Sequence, residues 1–403
     1  MSLLYSDPAE VGANLLDCDI FQDERYRAYF RFLRKEKPIY FQQGKDAATS
    51  FWNITRHKDI AAIEENHQVF SSAGGIVFED FGEEFPIKML IAMDPPRHTQ
   101  SRAPLLPLFS SQNLEALEDL VRRRVIAILD ALPRNEVIDW VDAVARELAG
   151  QMLATLLGIA QEDRYKLLHW SDLVVNHGFG RIDNEELRQA EFMECLTYFT
   201  SLLGQQRGAQ SGADMITSLL GSRGRMQPSE LLGNLLLFII AGNDTTRNTI
   251  SGGVLALHES PEQFSMLVAR PDLIPNMVAE MIRWQTPLAY MRRTAAVDIR
   301  YGGQLIREGD KVVLWYASAN RDEEVFTAPD QFMIDRPDAR KHLAFGIGIH
   351  RCVGARFAEL QLRILWEEIL IRFARIEVVG QPSKVRSSFV AGYLDLPVIL
   401  HPR

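Results

Sequence analysis

A cysteine at the end of a glycine-rich bend is the strongest chemical signal in this sequence. Residues 345–354 read Phe-Gly-Ile-Gly-Ile-His-Arg-Cys-Val-Gly, with three glycines around Cys352. Glycines at this density let a backbone bend tightly and approach another group closely. The spacing of Phe357 and Leu360 predicts a helix directly afterwards, and a helix N-terminus stabilises a thiolate. Cys352 is therefore a candidate metal ligand, against the simpler interpretation of a buried cysteine beside a turn.

The surroundings of Cys352 narrow the choice of metal site. No second cysteine or histidine stands at the ligand spacing of a structural zinc site. The Cys-x-x-Cys-His signature of covalently attached haem is missing as well. A lone thiolate ligand and a structural cysteine both stay open from these residues alone.

Two helical patterns also carry polar groups. Residues 241–246, Ala-Gly-Asn-Asp-Thr-Thr, place poor helix formers inside an apolar stretch. This pattern predicts either the end of a helix or a local widening in which side chains bond to the backbone. Glu280 and Arg283 are three residues apart on another helical pattern, so their side chains can meet. Such charge pairs are common on exposed helix faces, so this pair alone does not identify a site.

Residues 345–354 resemble the haem-binding loop of the cytochrome P450 family, Phe-Gly-x-Gly-x-His-x-Cys-x-Gly, at every fixed position. The resemblance implies that Cys352 is the thiolate ligand of haem b (heme b, iron protoporphyrin IX), with O2 as co-substrate. It also implies that Phe345, Gly346, His350 and Gly354 contact the haem.

Residues 241–246 are similar to the oxygen-activation motif of the same family. This similarity implies that Asp244 and Thr245 are the acid–alcohol pair that organises proton delivery, and that Ala241 lies against the haem.

Glu280 and Arg283 resemble the Glu-x-x-Arg pair of the family. In that family the pair binds an arginine in the segment before the haem loop, and Arg336 stands where this structural partner is expected.

Residues 93–102, Met-Asp-Pro-Pro-Arg-His-Thr-Gln-Ser-Arg, resemble a segment of bacterial members that reaches a haem propionate. The match implies that His98 and Arg102 bind one propionate. Arg293 and His350 match the other propionate contacts, since arginine and histidine form charge-assisted hydrogen bonds with carboxylates.

The elements that must hold these groups are mostly helices. Apolar residues recur at helical spacing over residues 114–132, 229–258, 274–282 and 357–371. Strand patterns are restricted to residues 38–41, 50–55, 299–317, 376–379 and 396–400, and residues 204–212 are typical of a surface loop. We therefore predict a mainly α protein with small β-sheets.

The resemblance specifies this fold class as the cytochrome P450 fold, a helix-rich triangular prism around a buried haem. We expect residues 1–403 to form a single domain. Its β-rich N-terminal part covers about residues 35–60, its helical part about 90–290 and its haem-loop part about 330–375.

Composition excludes several classes of protein. The 403 residues carry a net charge of −9, which argues against nucleic acid as the main partner. Three cysteines are too few for a disulfide framework and favour a reducing compartment. Residues 1–20 lack the pattern of a signal peptide, and no apolar stretch reaches the roughly 18 residues of a membrane span. We expect a cytoplasmic monomer without a membrane anchor, of the soluble bacterial type.

Within the family, residues 241–253 and 288–295 most resemble the bacterial alkane and fatty-acid terminal hydroxylases, although that branch more often has glycine in place of Ala241. The resemblance predicts an apolar substrate wall, and each member has an equally good interpretation as ordinary core: Ile76, Val77, Met89, Leu90, Leu237, Ile240, Ala241, Leu288 and Phe389. Burial discriminates between chains by only roughly 1–3 kcal/mol per methylene. The alternative substrates are a terpenoid, a steroid or an aromatic hydrocarbon.

The resemblance also implies a ferredoxin and its reductase as the source of electrons. A ferredoxin would dock on the face nearest the thiolate, where the sequence offers a local basic patch of Arg102, Arg340, Lys341, Arg351 and Arg356. Two other functions stay open. Retention of the acid–alcohol pair argues against a peroxide-driven enzyme and against a non-catalytic haem-thiolate binding protein.

Overall fold

The computed structural model describes residues 7–9, 12–79, 88–176, 185–205, 215–221 and 226–403, and most of these are helical. The helices are α1 Cys18–Gln22, α2 Tyr26–Glu36, α3 His57–Glu65, α4 Arg97–Arg102, α5 Ser111–Ala131, α6 Glu147–Leu157, α7 Arg164–Asn176, α8 Glu185–Gln205, α9 Met215–Gly221, α10 Pro228–Glu259, α11 Pro261–Ala269, α12 Ile274–Gln285, α13 Tyr316–Ala319 and α14 Ala355–Arg372. No helix among the described residues is long and apolar enough to cross a membrane.

The strands form small sheets at the margins of the helical core. They are β1 Ile39–Gln42, β2 Phe51–Ile54, β3 Phe70–Ser71, β4 Val137–Asp139, β5 Met291–Ala295, β6 Ile299–Tyr301, β7 Gln304–Ile306, β8 Lys311–Leu314, β9 Phe373–Val378, β10 Ser383–Lys384, β11 Tyr393–Asp395 and β12 Pro397–Pro402. The largest sheet has the order β1-β2-β8-β5-β3, and its β5 pairs with β8 so that Arg293 stands opposite Val312. The predicted fold class, mainly α with small β-sheets, is confirmed.

The long helix α10 organises the core because it packs against α6, α7, α12 and β9. Pro228 occupies its first turn, and the Gln227 amide donates to Glu230 Oε2 over 2.8 Å in a capping box. Between these ends α10 continues without interruption through residues 241–246. Neither the predicted helix end nor the predicted widening occurs there, since burial against the neighbouring helices outweighs low helix propensity. A wide helical turn occurs instead at Val141–Arg146, which packs against α10.

Two other local predictions need correction. The short strands and turns predicted within residues 299–317 are present as β6, β7 and β8, but residues 316–317 are helical, because α13 begins at Tyr316 and the Trp315 carbonyl oxygen accepts hydrogen bonds from the amides of Ser318 and Ala319. In the predicted loop 204–212, Gly204 lies inside α8, where an added Cβ would meet nothing within 4 Å. Packing therefore does not require glycine at this position. Residues 206–212 lie outside the described residues.

One buried cluster of charges joins α12 to the segment that precedes residues 345–354. The Arg283 guanidinium donates two 2.7 Å hydrogen bonds to the Glu280 carboxylate. Arg336 Nε donates to both oxygens of the same carboxylate, each over 3.0 Å. All three side chains are at most 2% exposed. The structure thus brings together the three residues that the resemblance grouped.

Replacing Glu280 with alanine should lower the free energy of unfolding by about 3–5 kcal/mol, because two buried guanidinium groups lose their carboxylate. Chemical denaturation of parent and variant measures this difference. Asp298→Ala, which removes an exposed partner of Arg307, is the matched control and should cost less than about 1 kcal/mol. Similar losses in both variants would contradict the structural role of Glu280.

Candidate functional site

Residues 345–354 form a tight loop against the end of α3. The backbone turns at Gly346 and Gly348, with φ of +64° and +68°, values that favour glycine. A Cβ on Gly348 would lie 2.7 Å from the backbone oxygen of Glu64, so a larger residue would displace α3. The Cys352 amide donates to the Phe345 carbonyl oxygen over 2.8 Å and closes the loop. The glycines therefore let the loop touch α3 and return to Cys352.

The Cys352 thiol stands two residues before the N-cap of α14. Cys352 has solvent-accessible surface, but many protein atoms lie close to its sulfur. Burial raises the pKa of the thiol, whereas the amides of Gly354 and Ala355 and the guanidinium groups of Arg102 and Arg351 favour the thiolate. Backbone donors and nearby cations are what stabilise a sulfur anion. The donor set therefore fits a thiolate ligand of a metal cation.

Two histidines meet beside this loop. The ring centroids of His98 and His350 lie 4.3 Å apart. His98 Nε2 and both ring nitrogens of His350 are buried without a hydrogen-bond partner among the described residues. Burial, together with nearby cations, lowers the pKa of His98 to about 4 and that of His350 to about 2. Each ring is thus neutral and has one N–H to donate to an acceptor.

Two arginines flank the histidines. Arg102, at the end of α4, donates to the Arg351 carbonyl oxygen over 2.6 Å and ties α4 to the haem loop. Arg293, on β5, is buried and forms an ion pair with Glu64 over 2.9 Å. The charges of Arg102 and Arg293 both lower the pKa of His350, which places them near its ring. Unpaired imidazoles beside two guanidinium groups and a thiol fit a group with carboxylates next to a metal, as haem has.

Ala241, Asp244 and Thr245 lie on one turn of α10 and have different surroundings. The Thr245 hydroxyl donates to the Ala241 carbonyl oxygen over 2.7 Å, which leaves its lone pairs as acceptors. Ala241 is exposed, Thr245 is half-buried and Asp244 is buried. The Asp244 carboxyl accepts a 3.1 Å hydrogen bond from Ser171 Oγ on α7. The structure records no hydrogen bond between the Asp244 and Thr245 side chains.

Comparisons with known proteins agree with this geometry. The Cytochrome P450 family matches residues 263–390. Linalool 8-monooxygenase of Pseudomonas putida is 36% identical, over 97% of this chain and 99% of that protein. Methyl-branched lipid omega-hydroxylase of Mycobacterium bovis is 32% identical, over 97% and 94%. Cytochrome P450-153 from Novosphingobium aromaticivorans aligns with a TM-score of 0.88 at 41% identity, over 96% of this chain and 99% of that structure. This chain belongs to the cytochrome P450 family.

The family prediction is thereby confirmed, together with its monooxygenase activity, its haem b cofactor and its use of O2. Bound haem supplies the iron at which O2 is reduced and one oxygen atom is transferred to a substrate. The residues of this P450 that would hold the haem are Cys352 at the iron and four side chains at the carboxylates: His98, Arg102, Arg293 and His350.

A chain of buried charges connects Asp244 of this P450 to its surface. Burial raises the pKa of Asp244 to about 6, although the Arg247 guanidinium opposes this rise. Arg247 pairs with Asp244 and also donates to Asp172 Oδ1 over 2.8 Å. Asp172 in turn pairs with Arg146, whose side chain is 31% exposed. The resemblance predicted a proton-delivery role for Asp244, and a carboxyl group with this pKa is compatible with that role.

Seven of the nine residues of the predicted substrate wall belong to two different buried clusters. Met89, Leu90, Leu237 and Ile240 belong to the helical core around α10. The second group packs against the large sheet and consists of Ile76, Leu288 and Phe389. Ile91 contacts both groups and was not predicted from the sequence.

Two polar residues that the sequence analysis missed hold this wall in place. Asn234 Oδ1 accepts a 2.8 Å hydrogen bond from the Leu90 amide. The Arg292 guanidinium donates to the carbonyl oxygens of Val77 and Phe78 over 3.3 and 3.1 Å. Asn234 and Arg292 are buried, so each bond is shielded from water. For Asn234 the signal in the sequence was a polar residue inside an apolar stretch, whereas Arg292 is followed by Arg293 and Thr294 and carries no such signal.

Glu64 is a further site residue that the sequence analysis missed. Its carboxylate bonds to Arg293, to the Tyr316 hydroxyl and to the Ile347 amide. The available signal was its spacing, because Glu64 follows buried Ile60 by four residues and therefore lies on the apolar face of α3.

Cys352→Ser should abolish the red-shifted Soret band of the reduced carbon monoxide complex, because a hydroxyl is a much weaker anionic ligand than a thiolate. Absorption spectra of the reduced holoprotein with carbon monoxide measure this band. Cys18→Ser, which changes a partly buried cysteine outside the site, is the matched control and should keep the band. A red-shifted band in Cys352→Ser would show that another residue ligates the iron.

The raised pKa of Asp244 has a consequence for stability. In the folded protein the pKa is about 6, above its usual 3.8, so folding favours the protonated form. Asp244 therefore stabilises the folded protein at low pH, and this stabilisation is lost as the pH rises from about 4 to about 6. The full loss for a shift of about two units is about 3 kcal/mol.

Asp244→Asn should remove this pH-dependent loss. Denaturant unfolding of parent and variant at several pH values measures it as a difference between two curves. The control is Asp142→Asn, which changes an exposed partner of Arg146. Its free energy of unfolding should depend on pH as that of the parent does. Parallel curves for parent and Asp244→Asn would mean that Asp244 does not titrate in this range.

Proposed function

We propose that this P450 hydroxylates an aliphatic C–H bond of a medium- or long-chain alkane or fatty acid, including the terminal methyl group. The observation that carries this proposal is that all nine residues of the predicted wall have apolar side chains. The similarity of residues 241–253 and 288–295 to the alkane and fatty-acid hydroxylases supports it. So does the relative named as a methyl-branched lipid omega-hydroxylase.

The proposed roles of the wall and of α10 follow from their positions. The wall holds the substrate by burial and excludes water from the neighbourhood of the reacting C–H bond. Thr245, whose hydroxyl already donates to the helix backbone, offers acceptor lone pairs that orient a proton donor. Asp244 carries the proton on the same helical turn as Thr245, because burial makes its carboxyl easier to protonate, and the ion pair with Arg247 fixes its position. Arg293, His98, Arg102 and His350 orient the haem through its propionates.

A second candidate substrate is a terpenoid. The observation that favours it is the 36% identity with linalool 8-monooxygenase over nearly the full length of both chains. A branched chain would be held by the same apolar wall, so the two proposals differ in the shape of the substrate.

A spectral titration separates these candidates. Binding of a true substrate displaces water from the haem iron, and the Soret band then moves to shorter wavelength. Octane, dodecane, lauric acid, linalool and progesterone form the test panel. The primary proposal expects the tightest binding for dodecane or lauric acid and a hydroxylated product in turnover with ferredoxin and reductase. Tightest binding and turnover of linalool would establish the terpenoid alternative, and a steroid preference would contradict both.

Thr245→Ala should uncouple electron consumption from product formation. Substrate binding should stay near the parent value, while the product formed per NADH falls at least about tenfold, because the proton donor loses its orienting hydroxyl. Product and peroxide yields per NADH measure the coupling. Thr245→Ser keeps the hydroxyl and should restore most of it. Thr249→Ala removes the equivalent backbone bond one turn later and should behave like the parent. Unchanged yield in Thr245→Ala would exclude Thr245 from proton delivery.

We further propose that this P450 works as a cytoplasmic monomer and receives electrons from a ferredoxin. The supporting feature is the exposed Arg351 beside the ligand cysteine. A nearby groove of about 300 Å³ is lined by Arg340, Arg356 and Arg363, but also by Glu118 and Glu359. Its charge is therefore mixed, since Arg363 pairs with Glu118 over 2.9 Å. Arg351 is therefore a better candidate than the groove arginines for attracting an acidic partner.

Arg351→Glu should weaken ferredoxin binding about tenfold at low ionic strength, equivalent to about 1.4 kcal/mol, and reduce its salt dependence. Titration with ferredoxin at several salt concentrations measures the effect. Substrate affinity and the red-shifted carbon monoxide band should be retained. Arg386→Glu makes the same charge change at an exposed position paired with Asp19, and should bind ferredoxin like the parent. Equal binding by Arg351→Glu and the parent would rule out the docking role.

A further inference from the structure

A buried carboxylate on α3 connects two parts of the haem site. Glu64 is 3% exposed. Its Oε1 accepts a 2.9 Å hydrogen bond from Arg293 and another from the Tyr316 hydroxyl. Its Oε2 accepts a 2.9 Å hydrogen bond from the Ile347 amide. One carboxylate therefore binds the strand that carries a haem-binding arginine and the loop that carries Cys352.

The packing of α3 fixes the position of this carboxylate. Ile60 and Ile63 on the same face are fully buried against the large sheet. The haem loop touches the end of α3 closely, since Gly348 leaves no space for a Cβ beside the Glu64 backbone oxygen. Neither the helix nor the loop can shift without disturbing the other. The packing of α3 and the contact with the loop thus hold Glu64 in place.

The charges at Glu64 are balanced by its partners. Burial raises the pKa of its carboxyl, and Arg293, the Tyr316 hydroxyl and the Ile347 amide act against that rise. Burial also raises the pKa of Tyr316 well above its usual value, so that side chain stays a neutral donor. Arg293 and Glu64 together carry no net charge. A haem propionate at Arg293 would therefore place a second negative charge close to the Glu64 carboxylate.

We infer that Glu64 is a positioning residue for the haem, which holds the Cys352 loop through the Ile347 amide and holds Arg293 for a propionate. This inference rests on the proposed propionate role of Arg293. It has an electrostatic consequence. Without the Glu64 carboxylate the charge of Arg293 would be unbalanced beside the haem, and a positive charge there favours the ferrous state, because net charge in the surroundings sets the reduction potential.

Glu64→Gln tests the charge. The amide keeps an acceptor for the Ile347 amide but has no negative charge. We expect the reduction potential of the holoprotein, measured by reductive titration with a reference dye, to become more positive than in the parent. Glu65→Gln removes the same charge from an exposed position one residue later and should leave the potential at the parent value. A parent-like potential in Glu64→Gln, or an equal shift in both variants, would overturn the inference.

Glu64→Asp tests the reach of the side chain. It keeps the charge but shortens the side chain, so the contact with the Ile347 amide is lost. We expect haem transfer to apomyoglobin to become at least about tenfold faster, as is typical when the outer partner of a metal site is lost. The potential should stay near the parent value. Parent-like haem transfer in Glu64→Asp would show that Glu64 does not position the loop. If Glu64→Gln yields no holoprotein, the result for Glu64→Asp alone tests the inference.

These outcomes can be separated from a failure of the proposed haem site. The carbon monoxide spectrum of Cys352→Ser tests the ligand without involving Glu64, and the potential of Arg293→Gln tests the propionate contact. A parent-like potential in Arg293→Gln together with a shift in Glu64→Gln would remove Arg293 from the inference and overturn it as stated.

Discussion

The hydrogen bond from the Cys352 amide to the Phe345 carbonyl oxygen closes the loop on which the haem site depends. It brings the cysteine back to the start of α14, where backbone amides point at its sulfur. The loop can follow this path only because two of its residues are glycines in the left-handed region. The same path presses Gly348 against α3. The position of the Cys352 sulfur, the packing of α3 and the conformation of the loop therefore depend on one another.

Buried charge is the second theme of this P450. Glu280, Asp244 and Glu64 are each nearly inaccessible to water, and each faces at least one guanidinium group. A buried carboxylate without such a partner would be strongly destabilising. The three differ in function because their partners differ. Glu280 is bound by two arginines, whereas Asp244 pairs with one, and burial raises the pKa of Asp244 to about 6.

The apolar wall depends on polar residues behind it. Asn234 and Arg292 bond to the backbone of the segments that carry Leu90 and Val77. These bonds determine where the apolar side chains stand, although the bonding residues themselves need not touch a substrate. Burial alone discriminates weakly between apolar molecules. Under the proposed function, selectivity would come from the shape that these backbone bonds impose on the predicted wall.

Much of this protein follows from local sequence. Cys352 and its glycines are adjacent in the chain, and Glu280 and Arg283 are one helical turn apart, so short-range geometry already brings them together. The helices α5, α10, α12 and α14 follow from apolar spacing, because packing selects the pattern that buries one face. The family resemblance rests on the same local motifs.

Tertiary structure decided what distant segments do together. Glu64 lies 229 positions from Arg293 and 283 from Ile347, and no local pattern links them. The continuity of α10 through its poor helix formers also depends on neighbours from elsewhere in the chain. Spacing reports which residues share a face of one element. Only the packing of several elements determines which buried charges meet, because the energy of a buried charge depends on all the groups around it.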